Sequence, residues 1–382
     1  MPERMRRTVA TGLSFLADIK DSRPSENCRA GPIRVMPTLF LLPWCRLDGL
    51  YSVGPVSLLP FSRTESLTDL DDETAEAILS ILGDFVGIDD KPITECTLLT
   101  LRGRLLLEDY PAPSDMEDIA DHVHFACLAS LSARDFLGGA VPYCNTDCFA
   151  LYIRSYRKGF GPSSPPIRRV DDTPTGLAGR GLKVYVPVCA AAVVNVPLDG
   201  RLFAALGALR ERLFAGGKIE RWTAWQESLF CFNQANTDSG IVPLGMRCVL
   251  IASAIQRSLG SNSKADDFGS RLAQALMPDS GDAEDRQTVE RWAREFYRIR
   301  GDYAHGRLRS HKPISWNPES HLLCGTIAFP LLVKNLLQQE RLYHATTRNR
   351  AEVAAFAHLV KDLSDPASRL RSWYEYIAEA ES

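Results

Sequence analysis

The residues best suited to chemistry in this chain are an arginine and a histidine close together in the segment Arg300-Gly-Asp-Tyr-Ala-His305. Arg300 lies one helical turn after Phe296, at the edge of an apolar stripe, where a guanidinium is only partly solvated. A guanidinium in that position binds anions strongly and in a fixed orientation. Arg300 and His305 together therefore indicate a site for an anionic ligand.

A helix must position these two residues, and the spacing predicts one over 284–304. Its apolar residues are three and four positions apart, so they form one face that packs on a bundle core or on a partner helix. These residues are Val289, Trp292, Phe296, Ile299 and Tyr303. Gly306 follows His305 and suits the left-handed conformation that ends a helix, so we expect the helix to end at His305.

The charge of the same segment favours an anionic ligand. Seven basic residues lie between positions 291 and 312, against the two acids Glu295 and Asp302, in a chain whose net charge is -3. The basic residues are Arg291, Arg294, Arg298, Arg300, Arg307, Arg309 and Lys312. A charge run is usually a solvated helix face, and it is the combination with His305 beside an apolar stripe that favours ligand binding.

The motif resembles that of HEPN domains, helical modules found in many prokaryotic toxin and antiviral-defence ribonucleases. Arg300 and His305 form an R-x4-H motif, Tyr297 precedes the arginine by three positions, and Gly306 follows the histidine. The resemblance covers about residues 218–345. The upstream helices are similar in order and character to those of Apea-like HEPN domains: 222–236, 243–259 and 267–276.

This resemblance implies an endoribonuclease that needs no metal and no cofactor. RNA supplies the nucleophile, its 2′-hydroxyl, and the products are a 2′,3′-cyclic phosphate and a 5′-hydroxyl. His305 would act as general base or acid because imidazole titrates near neutral pH. Arg300 would hold the scissile phosphate and Asp302 would orient the imidazole. We expect further substrate contacts from Tyr303, Tyr297, Arg298, Arg294, Arg307 and Arg309.

One helix alone does not bring the two catalytic groups together, because residues five apart point about 140° away from each other. Either the helix breaks at His305, or two copies of the motif meet across a two-fold axis. The resemblance implies the second arrangement, so we expect a homodimer formed through the HEPN-like domain. Its role would be antiviral defence by abortive infection, or that of a toxin, with the N-terminal domain sensing an unknown trigger or ligand.

Three other interpretations remain open at this stage. Gly301 and Gln256 stand where many HEPN relatives have polar and acidic residues, which favours a module that has lost catalysis and binds RNA or a nucleotide. A purely structural dimerisation bundle would explain the apolar stripe but not the charge. Finally, Arg300 could pair with Glu295 while His305 only caps the helix end.

The rest of the chain predicts an α+β N-terminal domain followed by an all-α HEPN-like helical bundle, with domains at 1–198 and 199–382. The second half contains one amphipathic segment after another, joined by short Gly- and Pro-rich turns. The predicted helices there are 199–215, 219–236, 242–259, 265–277, 284–304, 317–341, 350–363 and 366–380. In the first half, Asp48-Gly49 predicts a hairpin between strands at 35–42 and 50–61.

Composition excludes several classes of protein. The chain has 382 residues, 45% of them hydrophobic and 24% charged, which excludes wholesale disorder, collagen and a fibrous coiled coil. Its charge excludes a globally basic nucleic-acid coat. Ten scattered cysteines show no disulfide framework, and no apolar run reaches the length of a membrane span, so we expect a cytoplasmic protein that does not enter membranes.

A zinc site is the weaker alternative use of some cysteines and histidines. Cys144 and Cys148 are four positions apart, and His122 and His124 lie on a preceding predicted helix. The spacing matches no common structural zinc site. Two core cysteines and two histidines on a helix surface are the favoured interpretation, and no metal is expected.

Overall fold

The computed structural model describes residues 37–64, 70–87, 89–107, 112–134, 146–157, 161–162, 167–168, 184–186, 193–237, 240–261, 264–278, 283–306, 314–365 and 367–381. A small sheet region in the N-terminal part is followed by a mostly helical C-terminal region. This order agrees with the predicted α+β region followed by helices.

The described residues of the N-terminal part form short strands and two helices. The strands are β1 (Thr38–Leu42), β2 (Cys45–Leu47), β3 (Tyr51–Val53), β4 (Val56–Ser62), β5 (Phe85–Val86), β6 (Glu95–Leu101), β7 (Tyr152–Arg157), β8 (Gly161–Pro162), β9 (Ile167–Arg168), β10 (Val184–Tyr185) and β11 (Val193–Val196). The helices are α1 (Asp72–Leu82) and α2 (Pro113–Ala133). The main sheet has the order β3-β4-β6-β1-β7-β8, with β9 paired to β7.

The hairpin predicted at Asp48-Gly49 is wrong. Strand β1 does not pair with the run that follows it but lies between β6 and β7, with Phe40 opposite Leu99 and Ile153. All five residues of β1 are buried, and a strand of this kind takes a central position in a sheet. The hairpin instead joins β3 to β4, where Gly54 adopts the positive φ of 54° that a tight turn requires.

Eight helices lie in the described residues of the C-terminal part, and the sequence predicts each of them. They are α3 (Gly200–Ala215), α4 (Ile219–Ala235), α5 (Leu244–Leu259), α6 (Ala265–Leu276), α7 (Ala283–Ala304), α8 (Pro318–Gln339), α9 (Thr347–Leu363) and α10 (Trp373–Glu381). Helix α9 begins three residues earlier than predicted because Thr346 and Asn349 form a reciprocal capping box. Helix α10 begins seven residues later than predicted.

The hydrophobic core continues from the sheet into the helices. Helix α2 packs on α3, α4 and α8, and one cluster of buried residues includes Phe40 of β1, Phe125 of α2 and Phe329 of α8. Helix α3 lies so close to the sheet that a Cβ on Gly207 would come within 1.9 Å of Val53 Cγ1. The predicted domain boundary coincides with the start of α3, and the two parts share a core across it.

Helix α8 is the centre of the helical part, and it contacts α2, α3, α5, α6 and α9. Among the described helices it is the one that is long and apolar enough to cross a membrane. However, 78% of its most apolar window is buried inside the protein. A core helix of a soluble protein has this character, so the chain is compatible with a soluble protein.

Candidate functional site

Helix α7 carries the predicted site, and its apolar stripe is buried as expected. Val289, Trp292 and Phe296 are fully buried, and Ile299 is 9% exposed. The helix packs on α5, α6 and α9, and Phe296 also contacts Gly325 of α8. Burial of this stripe fixes the rotation of α7 and therefore the direction in which its polar residues point.

The end of α7 confirms the predicted helix stop. Gly306 has a φ of +66°, and its amide donates to the Tyr303 carbonyl oxygen at 3.2 Å. The His305 amide donates to the Gly301 carbonyl oxygen at 3.1 Å, so the chain follows the helical path as far as His305. The His305 side chain is exposed at this end.

Unlike Arg294 and Arg298, Arg300 has no carboxylate among the described residues within ion-pair distance. Its side chain is half-buried, and its guanidinium carbon lies 5.2 Å from the centroid of the Tyr297 ring. Arg300 Nε is shielded from solvent and has no hydrogen-bond partner in the described part of the chain. The guanidinium has no ion-pair partner among the described residues and can bind an anion through the part of the side chain that remains exposed.

The Tyr297 hydroxyl, next to Arg300, is a second buried donor without a partner. Tyr297 is 7% exposed, its ring packs on Phe268 of α6 at a centroid distance of 4.7 Å, and its hydroxyl bonds to no described residue. A buried polar group left without a partner costs about 1–3 kcal/mol. The Tyr297 hydroxyl and Arg300 Nε are thus two buried donors without a described partner, three residues apart on α7.

The alternative pairing of Arg300 with Glu295 is wrong, because Glu295 has other partners. Its carboxylate accepts from the amides of Ser315 and Trp316, at 2.9 and 3.0 Å, and from His321 Nε2 at 3.2 Å. Burial acts to raise the pKa of Glu295, but these hydrogen bonds outweigh it, and the pKa lies below its usual range. Glu295 thus fixes the position of the segment at Ser315 and Trp316, which leads into α8.

Tyr303 packs against α5 and so fixes the position of the helix end that carries the motif. Its ring lies against the backbone of Gly245 at the start of α5, where a Cβ would come within 2.3 Å of Tyr303 Cδ1. Burial is the main cause that raises the pKa of the Tyr303 hydroxyl. The sequence analysis did not identify Gly245, although a glycine in the first turn of a predicted helix is a signal for such a close approach.

The other arginines predicted to bind the substrate differ in whether a carboxylate already pairs with them. Arg294 pairs with Glu290 and lies 3.5 Å from Asp266, and Arg298 lies 4.0 Å from the same aspartate. Arg298 remains more than half exposed. Arg307 and Arg309 lie outside the described residues.

Asp302 and His305 are not joined within one chain. Asp302 is half-buried, and no hydrogen bond or ion pair links it to His305 or to any other described residue. Because the helix continues to His305, the Arg300 and His305 side chains diverge by about 140°. A single copy therefore places the two groups on the same end of α7 without directing them to one point.

A groove of about 850 Å³ runs along α7 beside the motif. Three arginines of the basic face line it: Arg291, Arg294 and Arg298. Its other wall includes Asp362, Asp365 and Lys361 at the end of α9 and in the turn that follows, and the acids Glu284, Glu290 and Glu295 of α7 also line it. The groove is therefore of mixed charge, and Arg300 and His305 are not among its lining residues.

Gln256 lies far from the motif. It is in the last turn of α5, eleven residues after Gly245, which corresponds to about 16 Å along the helix axis. Because Gly245 is the α5 residue that touches Tyr303, Gln256 is at the opposite end of α5 from the Arg300–His305 region.

The described residues contain no cluster of three or more potential metal ligands. Cys144 lies outside them, so the alternative zinc site is described only in part. The expectation of two surface histidines is wrong for His122, which is 2% exposed, whereas His124 is half-buried and burial lowers its pKa to about 4. Their partners are core groups, the Asp118 carbonyl oxygen for His122 and Asn233 for His124.

Comparisons of the chain with protein-family models, with curated proteins and with solved structures gave no match.

Proposed function

We propose that the protein is a metal-independent endoribonuclease of the HEPN type, acting in the cytoplasm in antiviral defence or as a toxin. The observation that supports this most strongly is the contrast on α7. Arg294 is paired with carboxylates, whereas no described carboxylate pairs with Arg300, which lies on the same helix end as the exposed His305. An unpaired guanidinium near an imidazole suits phosphodiester chemistry.

In the proposed reaction, His305 removes the proton from the 2′-hydroxyl of the RNA. The 2′-oxygen then attacks the adjacent phosphorus, and the bond from phosphorus to the 5′-oxygen breaks. Arg300, with Tyr297, binds the phosphate and stabilises the charge that develops on its oxygens. A second imidazole protonates the leaving 5′-oxygen, which gives a 2′,3′-cyclic phosphate and a 5′-hydroxyl.

This reaction needs a homodimer, because one copy directs Arg300 and His305 to different points. A two-fold axis near the end of α7 would bring two arginines and two histidines into one cleft. Met246, next to the Gly245 that supports Tyr303, has 50% of its side chain exposed. Single exposed apolar residues are common on protein surfaces, so the dimer is proposed from the geometry of Arg300 and His305 and not from Met246.

The test is RNA cleavage by the purified full chain in the presence of EDTA. We expect cleavage that resists the chelator, that leaves cyclic phosphate ends, and that is lost in Arg300→Ala and His305→Ala. Arg271→Ala is the matched control, because Arg271 is an exposed arginine of α6 that pairs with Asp267. Since a defence nuclease stays silent until it is triggered, toxicity on induced expression in cells is measured for the same variants.

A module that binds RNA without cutting it is the second candidate. It is favoured by the absence of any contact between Asp302 and His305, since an imidazole without an orienting carboxylate is a weaker catalyst. It predicts RNA binding that depends on Arg300 but not on His305, with no cleavage and no toxicity. A filter-binding assay on the same variants separates it from the enzyme.

We further propose that the N-terminal domain senses the trigger or restrains the nuclease. The N-terminal domain shares a hydrophobic core with the helices. A conformational change in the sheet would therefore be transmitted to α3 through the contact of Val53 with Gly207, which supports this proposal.

A further inference from the structure

A polar pocket of about 250 Å³ lies at the junction of the N-terminal part with the helices, apart from the α7 motif. Five elements build it: the end of α2, the starts of α3, α9 and α10, and the last part of α8. None of its lining residues belongs to α7. Its volume is slightly below the roughly 300 Å³ at which the usual range of small-molecule sites begins.

The floor of the pocket is a buried lysine held by two carboxylates. Lys334 of α8 is 4% exposed, and its Nζ lies 3.1 Å from Asp199 Oδ2 and 3.0 Å from Glu352 Oε2. Glu352 Oε2 accepts a hydrogen bond from this ammonium, and Asp199 lies within ion-pair distance of it. An ammonium has three donors, so donor capacity remains for a ligand in the described part of the chain.

The remaining groups of the floor are fixed by hydrogen bonds to each other. Asn349 Nδ2 donates to Glu352 Oε2 at 3.2 Å, and the Tyr343 hydroxyl donates to Asn349 Oδ1 at 3.3 Å. Asp199 Oδ1 accepts from the Leu202 amide as the N-cap of α3. Because these side chains are already paired and ordered, a ligand would bind without the cost of ordering them.

The rim of the pocket adds positive charge and an aromatic ring. Arg201 is exposed and has no ion pair among the described residues. Arg348 is more than half exposed, its Nε lies 3.7 Å from Glu352, and its guanidinium carbon lies 5.8 Å from the centroid of the Tyr374 ring. Together with the buried Lys334, these two arginines place three cations against the two carboxylates of the lining.

Helix termini increase the positive potential at the same place. Helices α3, α9 and α10 all begin at the pocket, with Asp199, Thr346 and Trp373 in its lining. The N-terminus of a helix carries partial positive charge. Asp199 offsets this charge at α3, and the Thr346 and Ser372 hydroxyls accept from amides of α9 and α10. The rim arginines Arg201 and Arg348 are therefore the groups best suited to bind a phosphate.

We propose that this pocket binds a phosphate-bearing small molecule of nucleotide size. Lys334, Arg201 and Arg348 would hold the phosphate, and the Tyr374 ring, 39% exposed at the rim, would stack on a base. The proposal does not depend on ribonuclease activity, because the pocket and the α7 motif share no residue.

Isothermal titration calorimetry on the full chain tests the proposal, with inorganic phosphate, ribose 5-phosphate, AMP and ATP as probes. We expect at least one probe to bind with a Kd below about 1 mM. We expect the double variant Arg201→Ala/Arg348→Ala to weaken that binding by roughly tenfold or more, because two charge-assisted contacts are lost. Tighter binding of AMP or ATP than of ribose 5-phosphate would assign a role to the Tyr374 ring, and equal binding would assign the site to the phosphate group alone.

Arg350→Ala is the matched control, because Arg350 is an exposed arginine of the same helix that lines a different cavity. It should bind the probes as the unmodified chain does. Thermal unfolding of every variant verifies that the fold is kept. Absence of binding for all four probes, or equal binding by the double variant and the unmodified chain, would overturn the proposal.

Discussion

The ring of Tyr303 lies directly on the backbone of Gly245, with no room for a side chain between α7 and α5. Tyr303 is two residues before His305, at the end of the helix that carries the proposed catalytic groups. The position of this helix end relative to α5 therefore depends on a residue that has no side chain. Among the described contacts, this one connects the fold most directly to the proposed chemistry.

Replacement of Gly245 by alanine should displace Tyr303 and destabilise the protein. An added methyl group in a packed interface costs about 1–3 kcal/mol, and the proposed cleavage should fall with it. Gly301→Ala is the contrasting variant, because a Cβ there meets nothing within 4 Å, and alanine favours a helix by about 0.5–1 kcal/mol. Thermal unfolding should show opposite shifts for the two variants, and equal shifts would contradict the packing.

Removal of the Tyr297 hydroxyl should lower the affinity for RNA without lowering the stability of the fold. Tyr297→Phe deletes a buried donor without a partner, so stability should stay unchanged or rise by up to about 1 kcal/mol, while affinity for RNA falls. Tyr156→Phe is the control, since the Tyr156 hydroxyl donates to Glu76 at 2.7 Å and its loss should cost about 1 kcal/mol. RNA affinity that is unchanged in Tyr297→Phe would exclude this hydroxyl from the phosphate site.

Much of the helical region could be predicted from the sequence because helix signals are local. The stripe of α7 and the stop at Gly306 depend on residues within a few turns of each other. The sheet was harder, since β1 pairs with β7, more than a hundred residues away, and the local signal at Asp48-Gly49 indicated the wrong hairpin. Pairing in a sheet is set by burial of whole strands, which a turn signal does not report.

The ion-pair and hydrogen-bond partners of the charged residues on α7 could not be predicted from the sequence either. Arg294 and Arg300 look alike in the sequence, yet Arg294 pairs with Glu290 and approaches Asp266 of α6, while Arg300 meets no described carboxylate. Glu295 has its partners twenty and more residues further on, at Ser315, Trp316 and His321. Ion pairs of this kind follow from how the helices pack, which spacing within one helix does not reveal.

Stability should fall in acid partly through Glu295. Its pKa is lowered in the folded protein below the usual value of 4.5, so its contribution is present above that pH and is lost as the pH falls through the folded pKa. Glu295→Gln should cost about 1–3 kcal/mol at neutral pH and should make the acid-induced loss less steep. Urea unfolding at pH 7 and at pH 4 measures both effects.

The control for Glu295 is Glu284→Gln on the same helix, because Glu284 is largely exposed and pairs with the exposed Lys361. An exposed ion pair of this kind contributes little, so this variant should unfold like the unmodified chain at both pH values. If the two variants behaved alike, the hydrogen bonds of Glu295 would have no role in acid stability.

The contact of Gly207 with Val53 should decide whether the sheet and the helices unfold together. A Cβ on Gly207 would come within 1.9 Å of a Val53 methyl, so Gly207→Ala should push α3 from β3 and cost about 1–3 kcal/mol. Because the core is continuous, calorimetry should show one transition that moves to lower temperature as a whole. Val53→Ala in the same chain should relieve the clash and recover part of the loss. Two separate transitions, with only one of them shifted, would show instead that the predicted division near residue 198 separates independently folding domains.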